Sequence, residues 1–193
     1  MGAEYELKYR ANASRLAAVE ADYPAQAAIT MQTTYYDTPS GSLSAKRYML
    51  RKRLENGVSI CTLKTPGSGN ERGEWDVPCD TITTAVSELC KLNVPTDLEK
   101  LCAEGLVPIC GAAFTRRACY LEQPGFTAEL ALDQGILFGG GREIPLCEIE
   151  IELKTGSKEA MDAFAEGFAT RYGLETEEKS KFARARSLTK EVR

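Results

Sequence analysis

The chain has 193 residues, 43% of them hydrophobic and 27% charged, and a formal net charge of −4. This is enough chain for one sizeable core, and no apolar run approaches the ~18 residues that a membrane helix needs. The acidic balance argues against a general nucleic-acid binder, which relies on excess Lys and Arg, and the complete absence of histidine removes Ser-His and Cys-His nucleophile pairs and the usual zinc sites.

In chain order, the opening "MGAEYELKYR" has no apolar stretch of signal-peptide type, and Glu6 stands where a myristoylation signal needs Ser or Thr. A cytoplasmic, soluble protein is expected. A strand is predicted over 3–10, then a helix over 12–21, then strands over 29–37, 43–55, 58–65 and 72–78. The "ENG" between the third and fourth strands predicts a hairpin turn, with Gly57 supplying positive φ. Apolar spacing predicts helices over 82–92 and 96–104, followed by strands over 113–122, 126–133 and 142–154. Ser157 is a candidate N-cap for a helix over 157–172, and a short helix is expected over 178–189. No linker or low-complexity segment divides the chain, so residues 1–193 read as one α+β domain. The seven cysteines are odd in number and include no Cys-x-x-Cys pair, as expected of reduced thiols acting as small core hydrophobes.

The strand "CEIEIELK" places Glu148, Glu150 and Glu152 on one face and Ile149, Ile151 and Leu153 on the other. Carboxylates about 7 Å apart on one face repel by roughly 2.4 kcal/mol per pair at an effective dielectric of about 20, so compensation is needed. "EYELK" repeats the alternation with Glu4, Glu6 and Lys8. In "KRYMLRKRLE", Arg47, Arg51, Arg53 and Glu55 share one face; Glu74 and Asp76 oppose Trp75 and Val77; Glu129 and Asp133 oppose Leu130 and Leu132. Each alternation alone would suit a solvated sheet face. Their grouping by sign points instead to a built site: if the sheet closes into a barrel with a polar lumen, carboxylates clustered inside would hold divalent cations and the opposing bases a multiply charged anion. Oxygen-only ligands favour Mg²⁺, Mn²⁺ or Ca²⁺.

The residues resemble the CYTH domains, or triphosphate tunnel metalloenzymes. "EYELK" is similar to their N-terminal Glu-x-Glu-x-Lys signature and "EIEIELK" to their late acidic strand, with "YYDTP", "LRKRL", "TLKTPG", "RGEWDVP", "TRRACYL", "ALDQG" and "EEKSKFARA" following in order between and after them. The resemblance implies an eight-stranded antiparallel β-barrel whose tunnel binds triphosphate, with helices packed outside. It implies metal ligation by Glu4, Glu6, Glu150 and Glu152, with Glu148 as a water-mediated ligand or organiser of the attacking water. Lys8, Arg51, Arg53, Lys64, Arg117 and Lys181 would contact phosphate, and Glu74 and Asp133 would be accessory acidic positions. Adjacent Arg116 and Arg117 point to opposite faces, and Arg117 is preferred for the lumen, with Tyr120 outward. An alternating-sign helix face is ordinarily solvated, the reading taken for Arg186. Tyr36 and Asp37 are read as shaping the turn before Pro39 or lying near the tunnel, and Glu55 and Asp76 as rim or pairing residues.

The resulting expectation is Mg²⁺- or Mn²⁺-dependent hydrolysis of a triphosphate, inorganic triphosphate first. The alternatives are a class IV adenylate cyclase, a thiamine or nucleoside triphosphatase, and a non-catalytic polyphosphate-binding module. The partner is expected to be a small anionic substrate, with no nucleic acid or membrane, and the protein a monomer or homodimer.

Overall fold

The computed structural model describes residues 5–66, 72–94 and 97–189. Its centre is a nine-stranded antiparallel sheet in the order β5-β4-β3-β2-β6-β7-β8-β1-β9. The strands are β1 (Glu6–Arg10), β2 (Ala27–Asp37), β3 (Met49–Glu55), β4 (Val58–Pro66), β5 (Arg72–Pro78), β6 (Val107–Gln123), β7 (Phe126–Gly139), β8 (Arg142–Gly156) and β9 (Glu175–Thr176). The helices are α1 (Ala13–Asp22), α2 (Ser42–Ala45), α3 (Ile82–Cys90), α4 (Leu98–Leu101), α5 (Lys158–Tyr172) and α6 (Lys181–Ser187).

Alternation in the strands sorts the molecule into two sides. On the outer face, Leu130, Leu132, Ile149 and Ile151 are buried against α1 and α5 through Leu16, Val19, Met161 and Phe168. Further along the sheet, Leu50, Leu63 and Val77 are buried with Leu43 of α2, Val86 and Leu89 of α3 and Leu98 of α4. Polar capping fixes the helix starts: Asn12, Thr81, Asp97, Ser157 and Ser180 each accept a backbone N–H of the first turn. The "ENG" turn carries Asn56 at φ 49° and Gly57 at φ 88°, the two positive angles that a tight hairpin between twisted strands requires.

Four departures from the predicted elements have local causes. Residues 43–48 are not strand: the Asp37 carboxylate accepts the N–H groups of Thr38, Leu43 and Ser44, folding α2 and driving Leu43 into the core. β6 and β7 run further than their apolar alternation indicates. They do so through Gly111 and Gly135, where a Cβ would strike Thr33 O and the Phe138 ring, or Ala113 O, respectively; close backbone approach replaces side-chain packing there. The helix predicted over 96–104 shortens to one turn, and β9 was too short to signal in the sequence.

Hydrogen bonding does not show closure. Hydrogen bonds join nine strands into an open sheet, and an eight-stranded closed barrel is not observed among the described residues. The second edge of β1 is taken by β9, Tyr9 pairing with Thr176 and Arg10 with Glu175, and Glu177 N–H donates to Lys8 O at 2.8 Å. Nor do all helices pack outside. α6 lies on the charged face, where Ala185 is fully buried with Phe114, Leu137 and Leu146 and Phe182 packs alongside. No helix of the described residues is long and apolar enough to cross a membrane.

Candidate active site

The sheet curls so that strands from both its ends line one cavity of about 640 Å³. Glu6 and Lys8 of β1 and Glu150 and Glu152 of β8 form one wall; Arg51, Arg53, Lys64 and Glu74 of β3, β4 and β5 form another, and Arg47, Arg116, Lys181 and Arg186 also line it. That makes eight basic side chains against four acidic ones, in a chain whose net charge is −4. Register sets the arrangement: Glu6 lies opposite Glu152 and Lys8 opposite Glu150, while Lys64 lies opposite Glu74.

Among the described residues, most of these bases are held by carboxylates. Lys64 Nζ lies 2.5 Å from Glu74 and Arg51 3.5 Å from its other oxygen. Arg53 donates to Thr33 Oγ1 at 3.1 Å and pairs with Glu55 at 3.5 Å. Burial lowers the Arg53 pKa, and neighbouring Arg51 adds to the effect. Lys8 reaches Glu6 at 3.2 Å. Bases clustered in this way offer an anion strong attraction, because the anion relieves their mutual repulsion.

The cavity floor carries a denser cluster. Arg116 makes two 2.8 Å bonds to Asp133 and also donates to Glu150. Lys181 Nζ is 2.8 Å from Asp133 and 2.7 Å from Glu150 and bonds Glu148 as well. Arg184 joins Glu148 and lies 3.3 Å from Glu177, which Arg10 approaches at 2.9 Å. Burial raises the Glu148 carboxyl, to about 7. Burial alone would raise Glu150 too, but Lys181 and Arg116 override it and hold that carboxyl well below the usual range. Lys181 is raised for the complementary reason: burial opposes its charge, and Glu150, Asp133 and Glu148 outweigh burial.

The expected site residues therefore separate into groups. Glu6, Lys8, Arg51, Arg53, Lys64, Glu74, Glu150, Glu152 and Lys181 meet at the cavity. Glu4 lies outside the described residues. Asp133 and Glu148 are on the same face but fully buried beneath it, so they meet the cavity through Arg116 and Lys181. Arg117 is a correction. It shares the outer-face parity of Cys119 and Leu121, which enter the core beside α1, and its Nε lies 3.0 Å from Glu20 of that helix. Arg116 is the inward arginine, opposite Asp133; Tyr120 has its parity but sits at an exposed end of the strand. Lys181, expected on phosphate, lines the cavity and also bonds three carboxylates. Arg184 was missed, although Lys181, Arg184 and Ala185 fall on one helical face by their i, i+3, i+4 spacing.

The donor set suits a hard divalent cation. Glu6, Glu150 and Glu152 line the cavity, and the chain has no histidine to favour a softer ion.

Comparison with known proteins agrees with this architecture. The chain is 34% identical over 137 residues to an inorganic triphosphatase of Haemophilus influenzae, covering 69% of the chain. The match spans 38% of that longer relative. A Hippeastrum adenylyl-cyclase candidate described as having a dominant triphosphatase activity superposes with a TM-score of 0.67 at 20% identity, covering 95% of each chain. A Bacillus halodurans adenylate-cyclase candidate gives a TM-score of 0.63 at 17% identity, over 92% of this chain and 94% of its own. At these identities the two structures speak for the fold. The CYTH domain profile matches residues 2–185, and the chain belongs to the CYTH domain family.

Proposed function

We propose that the protein hydrolyses a linear triphosphate in a divalent-metal-dependent reaction, with inorganic triphosphate as substrate and pyrophosphate and phosphate as products. The observation that carries this reading is the excess of four positive side chains lining one cavity, with the acidic residues concentrated on β1 and β8. The inorganic triphosphatase activity of the Haemophilus relative supports it.

In this reading Arg51, Arg53 and Arg116 grip phosphate oxygens through their planar forks, while Lys8 and Lys64 add point charges. Glu74 orients Lys64 and Arg51. Asp133 and Glu148 act through the bases above them and do not touch substrate. Glu6, Glu150 and Glu152, together with Glu4, would hold Mg²⁺ or Mn²⁺, which when bound polarises the terminal phosphate and activates water. The fixed guanidinium groups stabilise charge as it shifts to the leaving pyrophosphate, which is the main demand of phosphoryl transfer.

The test is product release from inorganic triphosphate, ATP, thiamine triphosphate and pyrophosphate in parallel, with Mg²⁺, with Mn²⁺ and with chelator. Phosphate release from inorganic triphosphate that stops with chelator is expected. Cyclic AMP formed from ATP without phosphate release, or tight triphosphate binding without turnover under either metal, refutes the reading.

A further inference from the structure

Two of the eight basic side chains that line the cavity stand apart from the rest. Among the described residues, Arg47 and Arg186 have no carboxylate within ion-pair reach, whereas the other six all do. Arg47 also has φ 60°, in the left-handed region that favours glycine. Such strain persists where the surroundings impose it, commonly at binding sites. The loop that imposes it is well anchored. The Asp37 carboxylate accepts three of its N–H groups, Glu104 accepts Ser40 N–H at 3.4 Å, and Ser42 N–H donates to Thr38 Oγ1 at 2.9 Å. Arg47 N–H then donates to Ser44 O at 2.9 Å, closing the turn after α2. Both arginines belong to one end of the cavity. Arg47 precedes Met49, which opens β3, and Met49 lies about 13 Å along that strand from Arg53. Arg186 Cζ is 5.9 Å from the Phe182 ring, which is 4.9 Å from the Tyr35 ring, and Tyr35 is the β2 partner of Arg51.

We propose that Arg47 and Arg186 form an outer anion subsite that holds the third phosphate of a linear triphosphate. The carboxylate-paired bases deeper in the cavity accommodate two phosphates, so the outer pair is what distinguishes triphosphate from pyrophosphate. An arginine without a carboxylate partner can turn its planar fork onto phosphate oxygens without giving up an existing ion pair. The identity of the anion rests on the functional reading above; the separation of an outer pair from the inner bases rests on the geometry.

The experiment is calorimetric titration of the full chain with inorganic triphosphate and with pyrophosphate, chelator present, beside kcat and KM with Mg²⁺. Arg47→Gly keeps the left-handed backbone, so its melting temperature should match or exceed that of wild type. Its triphosphate binding should weaken by about tenfold, the scale of a lost hydrogen bond to a charged group. Arg186→Met should weaken triphosphate similarly and Arg47→Lys should recover part of the loss, while pyrophosphate binding stays as in wild type throughout. KM should rise more than kcat falls, as for a group that binds ground state and transition state alike. Lys46 is exposed, adjacent to Arg47 and outside the cavity lining, so Lys46→Ala should leave both affinities unchanged. Unaltered triphosphate binding in folded Arg47→Gly and Arg186→Met, equal losses of the two anions, or an equal loss in Lys46→Ala overturns the proposal. If Arg47→Gly fails to fold, Arg186→Met decides alone. A wild type that binds triphosphate without turnover would end the hydrolase reading, and the calorimetric comparison would still decide this one.

Discussion

Adjacent Arg116 and Arg117 provide an internal control, because one is buried in the charged cluster and the other pairs at the surface of α1. Arg116 is 13% exposed and doubly bonded to Asp133, which is 0% exposed. At a charge separation of about 4 Å and an effective dielectric of about 20, their attraction is on the order of 4 kcal/mol. Desolvation offsets much of that, but Arg116→Met strands part of a buried carboxylate, which costs about 3–5 kcal/mol. Lys181 still contacts Asp133, so about 3 kcal/mol is expected. For a domain of this size that lowers the melting temperature by roughly 6–12 °C. Arg117→Met breaks a pair whose members are 26% and 33% exposed and should cost under about 1 kcal/mol. Urea unfolding of the metal-free protein, followed by circular dichroism, should show the Arg116→Met midpoint falling with an unchanged slope. Adding Asp133→Asn should recover part of the loss, since the stranded charge goes with it. Equal losses in the two arginine variants would refute the assignment of faces.

Glu152→Gln removes a cavity carboxylate without changing shape; hydrolysis of inorganic triphosphate should fall by about 100-fold or more, while the fold without metal stays intact, and a normal rate would place the metal elsewhere. Gly135→Ala puts a Cβ against Ala113 O, in a backbone that cannot yield, and should destabilise by at least about 1–3 kcal/mol; a melting temperature within 2 °C of wild type, which by this scaling is under about 1 kcal/mol, would show that β6 and β7 have slack there. Burial alone would raise the Glu177 pKa, but Arg10, the Lys179 N–H and Arg184 hold it below the usual range. A carboxyl depressed in the folded state contributes stability above its unfolded pKa and loses it as pH falls through the folded one. Glu177→Gln should therefore flatten the acid limb of a stability profile, and an unchanged limb would show that the pairing contributes nothing.

The sequence by itself determined what a period can carry. Alternation in "CEIEIELK" and "KRYMLRKRLE" assigned charged and apolar faces within each strand, because a strand's side chains reverse with every residue. Asn56-Gly57 marked a turn because few residues adopt positive φ, and Ser157 marked a helix start by its side-chain oxygen. Those signals are local. Tertiary structure alone decided whatever depends on a distant partner. "TRRACYL" contains two arginines of equal chemistry, and only the packing of Cys119 and Leu121 against α1 turns Arg117 out and Arg116 in. α6 reads as a solvated helix until Ala185 meets Leu137 and Leu146. Its Lys181 then finds Glu148, 33 residues earlier. Whether the sheet closes is likewise a matter of edges: β9 competes for the edge of β1, and no pattern within β1 records which strand will occupy it. A strand's sequence fixes its two faces, while its neighbours and the depth of its charges follow from long-range packing.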